Sequence, residues 1–277
     1  MVTMTAIWDR TAEVLRGRGS MLAGIAGLLI FVPAVVKDAV ATRAGVTPTA
    51  GWAMVVGLVA LLAAVASIWG NCALIAAASD PAIDRQDAIA TGGRRLAPAL
   101  GLSVLIGVVA LVAFAPGLAM LGVGALDLAS IGRGVPRVAA TPSPGLVVGA
   151  GLYLIVLGIV ALWIGARLAL FLPVVVNERR GVGSIARSFE LTRELTWRIV
   201  GVAILFGVLL LVALSGAQLV TAIVARLLIG ADGDAIARFA GAVAGAAVTA
   251  GGTVVSATFV AQLYRVVSGR EAAQTFA

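Results

Sequence analysis

Apolar positions in this chain come in long unbroken runs separated by short charged stretches. An amphipathic helix returns to polar residues on one side of every turn, and a half-buried strand alternates. Neither pattern fits Gly51 to Ala78, which holds no charged residue. A membrane-crossing helix needs about 20 mostly apolar residues. Six segments meet that length: Ser20 to Val36 (the shortest, flanked by Arg18 and Lys37), Gly51 to Ala78, Leu96 to Leu121, Gly145 to Val176, Ile199 to Ala225 and Phe239 to Leu263. The pattern predicts an all-α polytopic membrane protein of about six transmembrane helices, with residues 1–277 forming a single integral membrane domain. The first span reads as retained rather than as a cleaved signal, because a charged amphipathic stretch precedes it and no small-residue cleavage site follows. Gly122 to Pro144 reads as a loop.

Between the runs, three charged stretches with helical spacing each lead into a pair of spans: Ile7 to Arg18, Asp84 to Arg95 and Ser184 to Arg198. Ile7, Trp8, Thr11, Val14 and Leu15 share one face of the first. Ile185, Phe189, Thr192, Leu195 and Ile199 form the apolar stripe of the third, where Glu194 precedes Arg198 by four, a favourable helical pair. Gly92 and Gly93 weaken the second. Asp80 followed by Pro81 has the chemistry of a helix start close to it. Such stretches are expected as interfacial amphipathic helices lying on the cytoplasmic leaflet. Units of about 1–80, 81–177 and 178–277 would then enter the membrane with the same topology, as a threefold parallel repeat about the membrane normal. The alternative is coincidence, since any multi-pass protein gathers basic helices on its inner side.

Composition agrees with the runs. Hydrophobic residues make up 61% of the 277 positions and charged residues 12%, against about 25% charged in a soluble domain. The 34 glycines suit helices packed backbone to backbone in lipid. Net charge is +7, but no basic cluster is interleaved with aromatics, so nucleic acid is not an expected partner. The basic residues sort by side instead. Arg10, Arg16, Arg18, Arg85, Arg94, Arg95, Arg179, Arg180, Arg187, Arg193, Arg198, Arg265 and Arg270 fall on one side of the six-span arrangement. Lys37, Arg43, Arg133, Arg137, Arg226 and Arg238 fall on the other. The richer side is expected to be cytoplasmic, which puts both termini there and the protein in a bacterial cytoplasmic (inner) membrane.

Histidine is absent and cysteine occurs once, at Cys72. No intrachain disulfide, Cys/His zinc site or histidine base can be built. No phosphate-binding loop, nucleophile elbow or metalloprotease motif is present, and the acidic residues sit almost wholly in loops and charged stretches beside basic neighbours. Neither an enzyme nor a bound cofactor is expected. The outlier is Arg167, about ten residues before the inner end of the fourth span and hence roughly 15 Å along the helix. A charge near the bilayer centre costs about 2.5–3.5 kcal/mol on insertion scales. It can bind a lipid phosphate or other anion, or it can lock helices together through carbonyls. Asn71 and Gln262 stand at the same depth in the second and sixth spans, which suggests a shared polar or anion-binding cluster. Gly151, Gly158 and Gly165, and the pairs Gly145/Gly149 and Gly241/Gly245, are candidate points of close helix packing.

One stretch has a family likeness: Arg167-Leu-Ala-Leu-Phe-Leu-Pro173, Asn177-Glu178, then Ala186-Arg-Ser188-Phe-Glu-Leu191-Thr192-Arg193 and Trp197-Arg198. It resembles the membrane domain attached to some bacterial glycerophosphoryl diester phosphodiesterases, and that domain's stand-alone multi-pass relatives. The rest of the chain agrees only in layout. In that family the membrane domain is not the catalytic one. The barrel that hydrolyses the diester is a separate soluble domain of roughly 250 residues and depends on histidines. The resemblance therefore implies a fold and a motif, not the activity. The function expected is a non-catalytic membrane scaffold, or a module that binds membrane lipids or another membrane or separately encoded subunit. The alternative is a small-molecule or lipid transporter, which would need a polar path that the apolar outer halves of the spans do not offer.

Overall fold

The computed structural model describes residues 4–45, 48–120, 144–178, 183–193, 195–229 and 234–275. Of these, 94% are helical and none is in a strand. Six helical runs are long and apolar enough to cross a membrane: Met4–Ala44, Ala50–Ser79, Arg85–Met120, Pro144–Asn177, Thr196–Leu228 and Ala235–Gly269. Each contains most or all of one segment marked out by the apolar runs. The architecture is that of a multi-pass helical membrane protein.

The first run comprises α1 (Met4–Ala26), a widened π-helical turn (Gly27–Phe31) and α2 (Val32–Ala44). Pro33 explains the turn. It withholds the N–H that the Leu29 carbonyl would accept in a regular helix, and the Val32 N–H instead reaches the Gly27 carbonyl five residues back. α2 stops at Gly45, whose φ of 76° is open to glycine at no steric cost. Then follow α3 (Ala50–Ser79), α4 (Arg85–Met120), α5 (Pro144–Arg167), α6 (Phe171–Asn177), α7 (Gly183–Thr192), α8 (Thr196–Ile229) and α9 (Asp234–Thr275). The loop expected at Gly122 to Pro144 lies outside the described residues except for Pro144, which opens α5.

Two of the three amphipathic stretches are not separate interfacial helices. Ile7 to Arg18 is the first half of α1, and Asp84 to Arg95 runs directly into the span of α4. Amphipathic periodicity does not stop at a membrane boundary, and Gly17, Gly19, Gly92 and Gly93 weaken the helices without interrupting them. The third does form its own element, α7, because the helix gives way to turn geometry at Arg193 and Leu195 before α8 begins. Asp80 and Pro81 do not start α4. Asp80 ends α3, its N–H bonding the Ala76 carbonyl, while its side chain accepts from the Ala82 N–H. Asp84 is the cap, accepting from the Asp87 N–H at 2.7 Å.

Packing is uneven along the bundle. The basic end carries the first half of α1, the α3–α4 link, α6, α7 and the last third of α9; the far end carries the opposite connections. Buried side chains concentrate at the basic end: Leu22, Ile25, Cys72 to Ala78, Ala88, Ala99, Val175, Val176 and Ala261 form one cluster. Ile7, Leu170, Val174, Leu191 and Leu263 form a second. The six runs pack in a ring in chain order, and the second member of each pair (α3, α6 and α9) also meets the other two at the centre.

Toward the far end the side chains face outward. Met54, Leu58, Leu62, Val112, Val148, Leu152, Ile155, Leu211, Val212 and Leu227 are each more than half exposed. Burying a side chain of that size is worth about 1.5–3 kcal/mol. Ten of them in water would forfeit an amount comparable to the roughly 5–15 kcal/mol by which a whole domain is usually stable. Lipid is the solvent in which this surface is no penalty.

Candidate functional site

The residues of the family-like motif come together where the fourth span breaks. α5 ends at Arg167, and α6 resumes at Phe171. Pro173 lies behind the break: it has no N–H for the Ala169 carbonyl, and its ring crowds the turn before it. The local hydrogen bonds shift accordingly. The Phe171 N–H, which a regular helix would aim at the Arg167 carbonyl, goes to Leu168 at 3.0 Å. The Arg167 carbonyl is thus left without a helical partner.

α7 supplies what the break removes. Ser188 Oγ donates to the Arg167 carbonyl at 2.7 Å, and Thr192 Oγ1 lies 3.2 Å from the same oxygen. In return an Arg167 terminal nitrogen donates to the Phe189 carbonyl at 3.0 Å. Its guanidinium also lies 5.0 Å from the Trp163 ring centroid and 5.7 Å from that of Phe189, both cation–π distances. Ser188 and Thr192 are fully buried, and Leu191 enters the core beside Ile7. The serine, leucine and threonine at positions 188, 191 and 192 lie three and four residues apart, on the one face of α7 that meets the break.

Glu178, just past α6, fixes its lower end. Its Oε1 accepts from the Tyr264 hydroxyl at 3.0 Å and lies 3.6 Å from Arg187 Nε, while Arg187 also pairs with Glu190 at 2.9 Å. Trp197, the last motif residue, is 77% exposed. It belongs to neither buried cluster.

No hydrogen bond joins Arg167, Asn71 and Gln262 to one another; each donates to a different backbone carbonyl. Asn71 donates to Ser67 of its own helix at 3.0 Å, and Gln262 donates to the Ala78 carbonyl at the end of α3 at 2.8 Å. The glycine patterns divide as well. Gly241 and Gly245 lie against Gln218 of α8, whereas a Cβ at Gly151, Gly158 or Gly165 would meet nothing within 4 Å. That seven-residue series faces outward. Gly92, which weakened the second stretch as a helix, is the close approach: a Cβ there would stand 2.8 Å from the Ala73 backbone nitrogen.

Several binding residues carried no signal in the sequence. Arg18, counted among the orientation charges, donates to the carbonyls of Ala77, Asp80 and Ile83. It thereby caps the C-terminal end of α3, where carbonyls lack helical donors and the helix dipole favours a cation. Arg85 donates back to the Gly24 carbonyl at 3.2 Å, and Trp69 Nε1 donates to Ile89 at 2.9 Å. Between α1, α8 and α9 lies an apolar groove of about 500 Å³, lined among others by Trp8, Ile199, Phe206, Leu209 and Phe259.

None of the protein-family models, curated proteins or solved structures compared with the chain matches it. The likeness to the phosphodiesterase membrane domain therefore stands on the motif residues alone.

Proposed function

We propose that the chain is a non-catalytic membrane scaffold of the bacterial cytoplasmic membrane, with both termini in the cytoplasm, that binds lipid or a partner subunit. The observation that carries this reading is where the polar side chains go. Arg18, Arg85, Arg167, Trp69, Ser188, Thr192 and Gln262 bind backbone carbonyls, and so hold helices to one another. A transporter would keep such groups for its cargo. The centre of the basic end is filled by Leu22, Ile25, Leu74, Leu170, Val174 and Leu263, all fully buried, which leaves apolar packing rather than a polar path.

Lipid is the favoured ligand because the groove between α1, α8 and α9 is apolar and open on its flank, with Leu205 and Leu209 about 60% exposed. An acyl chain has the right shape and chemistry for it. The test is native mass spectrometry of the protein purified in mild detergent, set beside solute flux in proteoliposomes. A retained phospholipid or a second subunit, with no flux above empty vesicles, supports the scaffold. Saturable flux of any solute refutes it.

A further inference from the structure

Arg95 occupies a position that its neighbours reserve for the core. Ala88, Gly92, Ala99 and Leu102 are the buried residues of that part of α4, spaced by three and four, and Arg95 completes their series. Ala88, Ala99 and Leu102 pack in the cluster that holds Cys72 to Ala78 of α3 and Val175 and Val176 of α6. The same face brings Gly92 against Ala73.

Among the described residues, four arginines are neither buried nor exposed: Arg18, Arg95, Arg167 and Arg187. Arg18, Arg167 and Arg187 bond protein carbonyls or carboxylates. Arg95 bonds nothing; its Nε is buried without a hydrogen bond, as are those of Arg167 and Arg187, but it alone of the four has no bond from its terminal nitrogens, which are not among the buried unpaired atoms. The guanidinium is therefore anchored in the bundle and reaches outward with its donors unused. A partly desolvated cation with open donors calls for an anion, and the flat two-pronged geometry of guanidinium fits phosphate.

Its height fits the same ligand. From Leu96 to Met120, α4 runs on for roughly 37 Å, enough to cross a hydrocarbon core of about 30 Å. That sets Arg95 at the level of the headgroups on the basic side.

We propose that Arg95 is the anchor of a phosphate-binding site at the basic end of the bundle, taking the phosphate of an anionic phospholipid headgroup or a soluble phosphate. α4 contributes no residue to the apolar groove, so the site stands whether or not that groove holds a lipid.

The test compares the full chain with Arg95→Met and with Arg94→Met, its exposed neighbour, in neutral detergent. Thermal unfolding is read alone, with phosphatidylglycerol, and with inorganic phosphate at matched ionic strength. A ligand raises the midpoint only of a state that binds it. The parent and Arg94→Met should gain several degrees, and Arg95→Met should gain none. Without anion, Arg95→Met should unfold no lower than the parent, because it loses an unpaired charge rather than a bond. A gain from phosphatidylglycerol alone identifies a lipid headgroup; an equal gain from inorganic phosphate identifies a soluble phosphate. The proposal is overturned if the parent gains from neither, if Arg95→Met keeps the gain, or if Arg94→Met loses it equally. An Arg95→Met chain that is less stable than the parent without anion also overturns it, since the arginine would then be bonded within the protein.

Discussion

The Arg167 carbonyl offers a sharp test of how α7 is held. Ser188 is its main donor at 2.7 Å. The Thr192 hydroxyl is closer to the Ser188 carbonyl, at 2.7 Å, than to Arg167, at 3.2 Å, and it has a single proton to give. Removing Ser188 Oγ lets Thr192 turn toward Arg167, so Ser188→Ala should cost only about 0.5–1.5 kcal/mol, the net value of one hydrogen bond. Thr192→Val, close in shape, should cost less, because the stronger bond to Arg167 remains. Removing both leaves a buried backbone carbonyl with no donor, and that desolvation penalty is about 1–3 kcal/mol beyond the lost bonds. The double variant should therefore fall short of the parent by more than the sum of the single ones, with a coupling of about 1 kcal/mol or more. Reversible unfolding of the four proteins in mixed micelles measures it; 1.4 kcal/mol corresponds to about tenfold in the folded-to-unfolded ratio. A double variant no less stable than Ser188→Ala would refute the reasoning, since the carbonyl would then have another donor.

Arg167→Gln should lower the unfolding midpoint whether or not phosphatidylglycerol or cardiolipin is present, because it removes the bond to Phe189 and two ring contacts; loss confined to lipid-containing samples would make Arg167 an anion site instead. Gly92→Val should destabilise by about 1–3 kcal/mol, the usual range for overpacking, as its Cβ would stand within 3.0 Å of the Ala73 backbone and Cβ. Gly158→Ala, facing open space, should be neutral within about 1 kcal/mol; equal losses at both positions in a detergent melt would contradict the packing described. Reporter fusions after Pro81, Gly183 and the C-terminus should report cytoplasm, and fusions at Thr47, Val138 and Gly233 the far side. A cytoplasmic signal at Val138 would break the six-span topology.

The spans were legible because an uncharged run of this length has one stable environment, and length alone then sets their number. The break at Arg167 was half legible. Pro173 announces a missing donor, but that Ser188 and Thr192 answer the freed carbonyl depends on α7 packing against the break some twenty residues later. The amphipathic stretches misled, because periodicity gives the polar face of a helix and not the point where it leaves the membrane. Arg18 and Arg95 were read as orientation charges, and a side count cannot separate a solvated arginine from one that caps a helix or sits in a core stripe. For Arg95 the signal was present, as the spacing of Ala88, Gly92, Ala99 and Leu102 around it. For Asn71 and Gln262, equal depth in separate helices did not give the bonding partner, which is the Ser67 carbonyl for one and the Ala78 carbonyl for the other.

The hydrogen bond from Gln262 to Ala78 joins residues 184 positions apart, and Ile7 shares a cluster with Leu263. The two ends of the chain thus build one core, and that core has consequences for biogenesis. Translation delivers α1 and α3 long before α9 exists. Until the last span leaves the ribosome, the α9-facing side of α3 and the buried flank of α1 have no native neighbour, and the protein is a set of hairpins awaiting closure. Contacts of such separation form slowly and leave an interval in which a wrong partner can intervene. A chain truncated before Asp234 would keep five spans and still lack the residues that seal its centre. Quality control during insertion should therefore act on this protein late, at the arrival of its sixth helix.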